Sequence, residues 1–277
     1  MGRRRKPGRR RPSTPASSPS PLRALRWVLV GAGVLLVLDL YYLGRIWPDW
    51  ERLARGTPPA PKSQFIAAYE ARRLAEGRLP VLRWRPVPLA AMPRHLRRAV
   101  LIAEDSRFYQ HAGFDFYAIR DAFHYNLRHR RILRGASTIS QQTAKNLFFT
   151  PSRNPLRKWH EAVLTWGMER HLSKDRILEI YLNIVELGRG IYGVEAAARA
   201  YWDRPVGALT PAQSAELAAT LPSPVYHNPR TRTAFFRRHA AKIHRRLRRV
   251  LGRAGAPALR ARRAAAPAPA DDPEEDF

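Results

Sequence analysis

The chain has 277 residues, more than one small domain needs and too few for two large ones once its low-complexity ends are set aside. Its 50 Lys and Arg outnumber 22 Asp and Glu, a formal +28, so the expected partner is anionic: nucleic acid, a phospholipid surface or a phosphate-bearing substrate. There is no cysteine, which excludes disulfides, zinc thiolate sites and a cysteine nucleophile.

Residues 1–26 hold nine basic residues and no acid, and 271–277 hold five acids; setting both aside leaves +24 on residues 27–270. The cationic character therefore belongs to the folded part. Residues 1–21 are Arg, Pro and Ser with almost no large apolar groups, a composition too poor in burial to offset chain entropy, so 1–26 reads as a disordered basic tail. Next comes WVLVGAGVLLVLDLYYLG, Trp27 to Gly44, with one charge, Asp39. It sits at the short end of what spans a hydrocarbon core, with Tyr41, Tyr42, Trp47 and Trp50 as an interfacial aromatic group. A cleaved secretory signal is the alternative, but the preceding tail is long and no small-x-small site ends the stretch. The reading is a retained anchor over 27–46, N-terminus in the cytoplasm by the positive-inside rule, the rest outside.

Residues 47–83 read as a juxtamembrane linker, with Pro58 to Pro61 as its Pro-rich part and Phe65 to Glu76 as a short helix. Arg85 to Pro93, with three prolines, is an extended approach to the main core. From there the periodicity predicts helices at His95–Glu104, Tyr117–His129, Thr138–Asn146, Pro155–His171, Lys174–Glu186, Val194–Tyr201, Pro211–Thr220 and Arg230–Leu251. No long alternating pattern predicts a strand, so the fold class is mainly α. In the last helix Phe236, Ala240, Ile243, Leu247 and Val250 form a core-facing stripe, and its arginines suit anionic headgroups better than nucleic acid, which an outside location removes. The expected boundaries are a main domain over 84–252 and a disordered tail over 253–277.

Four segments carry polar residues that a purely structural helix would not need. In AVLIAEDSRFYQHAGFD, Glu104 and Asp105 follow an apolar run that ends at the core's edge, where desolvation raises a carboxyl pKa toward neutral; the plainer reading is that they solvate a helix end. In GASTISQQ, Ser137 and Thr138 suit a helix cap and Gln141 and Gln142 open that helix, whose small side chains let a ligand approach backbone N–H groups. Lys145, Arg153, Arg157, Lys158 and Glu161 crowd cations around one acid. Arg157 and Glu161 at i, i+4 make an ordinary ion pair of about 0.3 kcal/mol, which explains one pair and not the crowding; the cations suit a pyrophosphate. The fourth segment is KDRILEIYLNIVELGRGIYGVEAAARAYW, where Ile177, Tyr181, Ile184 and Val185 make a core stripe and Glu179 and Asn183 face elsewhere. His111 reads as a structural hydrogen-bonding group in a loop.

In order and spacing these segments resemble the signature motifs of the family 51 peptidoglycan glycosyltransferases, which occur alone or as the first domain of class A penicillin-binding proteins. EDSRFYQHAGFD is similar to ED-x-x-F-x-x-H-x-G-x-D, GASTISQQ to G-x-S-T-I-x-Q-Q, RKWHE to R-K-x-x-E and RILEIYLN to I-L-E-x-Y-L-N, over about Trp84 to Tyr226. No serine has lysine three positions later and there is no KTG, so the chain resembles the monofunctional branch.

The resemblance implies a lysozyme-like helical domain behind one transmembrane helix. It implies an enzyme that polymerises lipid II with inversion and releases undecaprenyl pyrophosphate outside the inner membrane. By resemblance Glu104 is the base for the acceptor hydroxyl and Glu161 the second carboxylate. Lys145, Arg153, Arg157 and Lys158 would neutralise the pyrophosphate, and Ser137, Thr138, Gln141 and Gln142 would line the donor cleft; Asp105 stays between substrate contact and a supporting role. No cofactor is expected, and a divalent cation assisting the pyrophosphate has no dedicated ligand cluster. The implied partners are lipid II, the growing strand, the membrane and unspecified cell-wall synthesis or division proteins. The alternatives are a lytic transglycosylase or lysozyme-like hydrolase, to which the cation cluster is of no use, and an inactive scaffold, which would not need both carboxylates.

Overall fold

The computed structural model describes residues 21–131, 135–151 and 156–264, in two compact units, Met1–Trp47 and Pro48–Phe277. The first unit is one helix, α1 (Pro21–Ile46), opening on a proline, which suits a first helical position because its missing N–H would be unpaired there anyway. Its segment Leu25–Ile46, 22 residues, is long and apolar enough to cross a hydrocarbon core, and Trp27, Leu35 and Val37 lie exposed on it. The helix starts earlier than the expected residue 27. Residues 1–20 of the basic tail lie outside the described residues.

In the second unit come α2 (Trp50–Ala54), α3 (Gln64–Ala75), β1 (Arg83–Trp84), α4 (Arg94–Glu104), α5 (Phe116–His129), α6 (Ile139–Phe148), α7 (Arg157–His171) and α8 (Lys174–Ile184). They are followed by β2 (Glu186–Gly188), β3 (Ile191–Tyr192), α9 (Val194–Trp202), α10 (Pro211–Thr220) and α11 (Ala234–Ala264). The centre is α8, whose Ile177, Leu178, Ile180, Tyr181, Leu182 and Ile184 are all fully buried, while its polar Arg176, Glu179 and Asn183 tie down neighbouring segments. Against it lie α6 and α7, while α10, α11 and α4 form a second group in which Phe236, Ile243 and Leu247 of α11 are buried. The stripe expected on α11 is present except at Val250, which is exposed.

Three expectations are corrected. The linker expected over 47–83 is, from residue 48 on, part of the second compact unit. Trp50 is buried, stacked on His171 with ring centroids 5.6 Å apart, and Arg176 of α8 donates to the carbonyls of Leu53 at 2.7 Å and Pro59 at 2.5 Å. The helix expected to reach Glu186 stops at Ile184, because Glu186–Gly188 pairs antiparallel with β3 and β3 pairs parallel with β1 in a small sheet ordered β1-β3-β2. Gly193, just past β3, lets the chain pass close against the end of α8: its φ is +80° and a Cβ there would lie 2.6 Å from the Asn183 carbonyl oxygen. Finally, α11 runs to Ala264, past the expected boundary at 252; residues 265–277 lie outside the described residues.

Candidate active site

Adjacent in sequence, Glu104 and Asp105 are put to different uses. Burial of Leu96, Ala99, Val100 and Leu101 seats α4 on the core and brings its last residue, Glu104, to the core's margin. There Glu104 Oε2 accepts one hydrogen bond, from Gln142 Nε2 at 2.7 Å. The fully buried Tyr181 donates its hydroxyl to Gln142 Oε1 at 3.4 Å, which turns the amide nitrogen toward the carboxylate. Burial pushes the Glu104 pKa up; the Gln142 hydrogen bond and the Lys145 ammonium pull against it, and the neighbouring Asp105 charge adds to the rise.

Asp105 is buried and consumed. Its Oδ2 accepts from the Ile139 amide at 3.0 Å, and His111 Nε2 lies 3.1 Å from both of its oxygens, so it ties the end of α4, the following loop and the start of α6 together. His111 is thus a structural hydrogen-bonding group, as the sequence suggested.

Within GASTISQQ the side chains divide the same way. Thr138 and Gln141 form a capping box on α6, Thr138 Oγ1 accepting from the Gln141 amide and Gln141 Oε1 from the Thr138 amide. Thr138 also donates to the Gly113 carbonyl at 2.6 Å. Their expected place lining the donor cleft is therefore not where the structure puts these two buried groups; they build the helix start. Ser137 is exposed beside it, and Gln142 reaches Glu104.

Three residues beyond Gln142, on the same face of α6, stands Lys145. Burial lowers its pKa, while the carboxylates of Glu161 and Glu104 favour its charged form and Arg157 and Lys158 oppose it. Glu161 on α7 is buried; Arg157 Nε lies 3.0 Å from Oε1 and Lys158 Nζ 3.4 Å from Oε2, yet Oε1 receives no hydrogen bond. Lys145 thus lies within electrostatic reach of two carboxylates on two different helices. Arg153 lies outside the described residues.

The fourth motif proves to be scaffold. Glu179 accepts from the Leu89 amide at 2.5 Å and pairs with Arg176, and Asn183 exchanges hydrogen bonds with Val87, its Oδ1 accepting from the amide at 2.8 Å and its Nδ2 donating to the carbonyl at 2.9 Å. Trp84 Nε1 donates to the Asn183 carbonyl at 2.9 Å. Together they hold the extended segment that leads into α4. Two groups escaped the sequence reading: Arg107, whose Nε donates to Asp115 at 2.9 Å, and the Tyr181 hydroxyl. Asp105, His111 and Asp115 each bring a potential ligand atom within 4.8 Å of the others, but Arg107 and the Ala118 amide occupy Asp115 and the Ile139 amide occupies Asp105. This group is a hydrogen-bonded hub.

A helical domain with one half-buried and one buried carboxylate about a cationic helix face defines an enzyme suited to sugar transfer from a phosphate-bearing carrier. The chain belongs to the transglycosylase family, whose sequence model, described as Transglycosylase, matches residues 77–254. It is 39% identical over 219 residues to the biosynthetic peptidoglycan transglycosylase of Thiobacillus denitrificans, covering 79% of this chain and 94% of that relative. It is 40% identical over 216 residues to the protein of that name in Methylobacillus flagellatus (78% and 94%) and 42% over 217 residues to that of Dechloromonas aromatica (76% and 89%).

Proposed function

We propose that the chain is a monofunctional peptidoglycan glycosyltransferase that joins lipid II units into β-1,4-linked glycan strands. One observation carries this reading. Glu104, half-buried and held by a single hydrogen bond among the described residues, faces a helix whose next turn bears Lys145, and beyond Lys145 stands the second carboxylate, Glu161. Extending a glycan from a pyrophosphate-linked donor calls for a base on the acceptor side and positive charge on the leaving-group side.

Glu104 takes the proton of the acceptor sugar's 4-hydroxyl as that oxygen attacks the anomeric carbon of the donor. The bond to undecaprenyl pyrophosphate breaks, and the α-linked donor becomes a β link. Lys145, Arg157 and Lys158, with Arg153 by its place in the sequence, neutralise the departing pyrophosphate. Glu161 holds those cations in place, its ion pairs with Arg157 and Lys158 fixing two of them. Ser137, exposed at the start of α6, and Gln142 are the polar contacts on the donor side; Thr138, Gln141 and Asp105 shape that helix start. The helix α1 anchors the enzyme in the membrane that carries its substrate, and the basic residues before it support an orientation with the catalytic unit on the outer side of the inner membrane.

Purified full-length protein incubated with fluorescent lipid II tests this reading. Wild type yields glycan polymer and Glu104→Gln lowers the rate about 10³-fold with folding intact; polymer formed by that variant at the wild-type rate removes Glu104 as the base.

A further inference from the structure

A cavity of about 420 Å³ opens beside the cationic helix face, lined by Phe65, Tyr69 and Arg72 of α3, Thr150 just past α6, and Glu186 and Tyr192 of the small sheet. Its volume is that of a small-ligand pocket. Phe65 connects it to the catalytic residues, because the Lys145 ammonium lies 5.8 Å from the centroid of the Phe65 ring. Tyr69 and Tyr192, both buried, floor the cavity with their ring centroids 5.9 Å apart.

The charges of this cavity are unusual for a structural cleft. Glu186 is half-buried, accepts a hydrogen bond from the Gly190 backbone and has no ion-pair partner among the described residues; burial pushes its pKa up, while Arg72, the Gly190 hydrogen bond and Arg189 pull it down. Arg72, exposed, lines the same cavity, near enough to act on Glu186 electrostatically but not ion-paired with it among the described residues. A carboxylate and a guanidinium that face one cavity without meeting match a ligand carrying both an ammonium and a carboxylate, and the aromatic floor suits the aliphatic stems between them.

We propose that this cavity is a subsite for the peptide arm of the donor glycan, Glu186 receiving an ammonium and Arg72 a carboxylate of that arm. The proposal rests on the glycosyltransferase reading above and adds a specificity determinant to it. The arm leaves the same sugar ring whose anomeric carbon bears the pyrophosphate, so a subsite for it must abut the cations that hold the pyrophosphate. The cavity does so through Phe65. Neither Glu186 nor Arg72 has a part in the transfer step itself.

The test uses full-length enzyme in detergent with three substrates: lipid II bearing a lysine-containing pentapeptide, the same lipid II acetylated on that lysine, and the lipid-linked disaccharide without peptide. Wild type prefers the first over the third in kcat/KM, and acetylation removes most of that preference. Glu186→Gln, which preserves volume, and Arg72→Ala each shrink the preference about tenfold. A preference unchanged by both substitutions overturns the proposal. So does an effect of the substitutions that appears only in phosphatidylethanolamine vesicles and not in detergent, which assigns the cavity to a lipid headgroup. Failure of wild type to polymerise any of the three substrates strikes instead at the glycosyltransferase reading.

Discussion

Glu104 and Glu179 are both acids within or just beyond apolar helices, yet the structure treats them oppositely. Glu179 spends its oxygens on Arg176 and the Leu89 amide, and with Asn183 it clamps the segment that leads into α4. Glu104 has one hydrogen bond among the described residues and a pKa raised by burial. Glu161 stands between them: Arg157 and Lys158 ion-pair with it, yet its Oε1 accepts no hydrogen bond. A carboxylate whose lone pairs are filled holds the fold, and one left short of donors keeps capacity for a proton or a substrate.

The largest way to break this comparison is Glu104→Gln, which lowers polymerisation about 10³-fold. It also stabilises the protein at neutral pH. A carboxyl raised above its ordinary 4.5 in the folded state binds its proton more tightly there than in the unfolded chain, so its ionisation costs stability as pH rises from 4.5 through the raised value. Thermal unfolding across pH checks this: the variant's advantage over wild type disappears below pH 4.5.

Lys145→Met follows, with kcat/KM for lipid II down about 10²-fold. Because burial holds the Lys145 pKa low, the ammonium is disfavoured by the fold at neutral pH, and the substitution raises the unfolding temperature there. That advantage shrinks as pH rises through the lowered pKa and wild-type Lys145 loses its proton. Steady-state kinetics and calorimetry on the same preparation read both effects.

Glu179→Gln acts in the opposite sense, leaving the buried Arg176 guanidinium without its counter-charge and costing about 3 kcal/mol in urea unfolding. The smallest effect is that of Gln142→Leu. Removing the hydrogen bond that favours the ionised carboxylate raises the Glu104 pKa further, so the acid limb of the kcat/KM profile moves to higher pH. An acid limb that stays in place separates Gln142 from Glu104.

Much of the fold was legible because its helices carry clear periodicity and stops. Pro211–Thr220 has the expected bounds, with Thr210 and Gln213 completing a capping box, and Val194–Trp202 exceeds its expected bounds by one residue. The short strands were not legible, since two or three residues hold no alternating pattern, and Glu186 looked like a continuation of α8. Residues 47–83 read as a linker because the residue that anchors them, Arg176, lies more than a hundred positions away. For the site, sequence brought the right segments forward but could not divide their labour. Glu104 and Asp105 are neighbours in one motif, as are Gln141 and Gln142, and which of each pair faces inward depends on where α4 stops and how α6 is capped. The hydrogen bond from Tyr181 to Gln142 crosses between helices and leaves no local trace in the chain.

The most direct measurement is polymerisation of lipid II per folded molecule by Glu104→Gln and Glu179→Gln, side by side at a temperature where both are folded. The account predicts a stable, inactive Glu104 variant and a weakened Glu179 variant that retains most of its turnover. Active Glu104→Gln, or Glu179→Gln folded and dead, would contradict it.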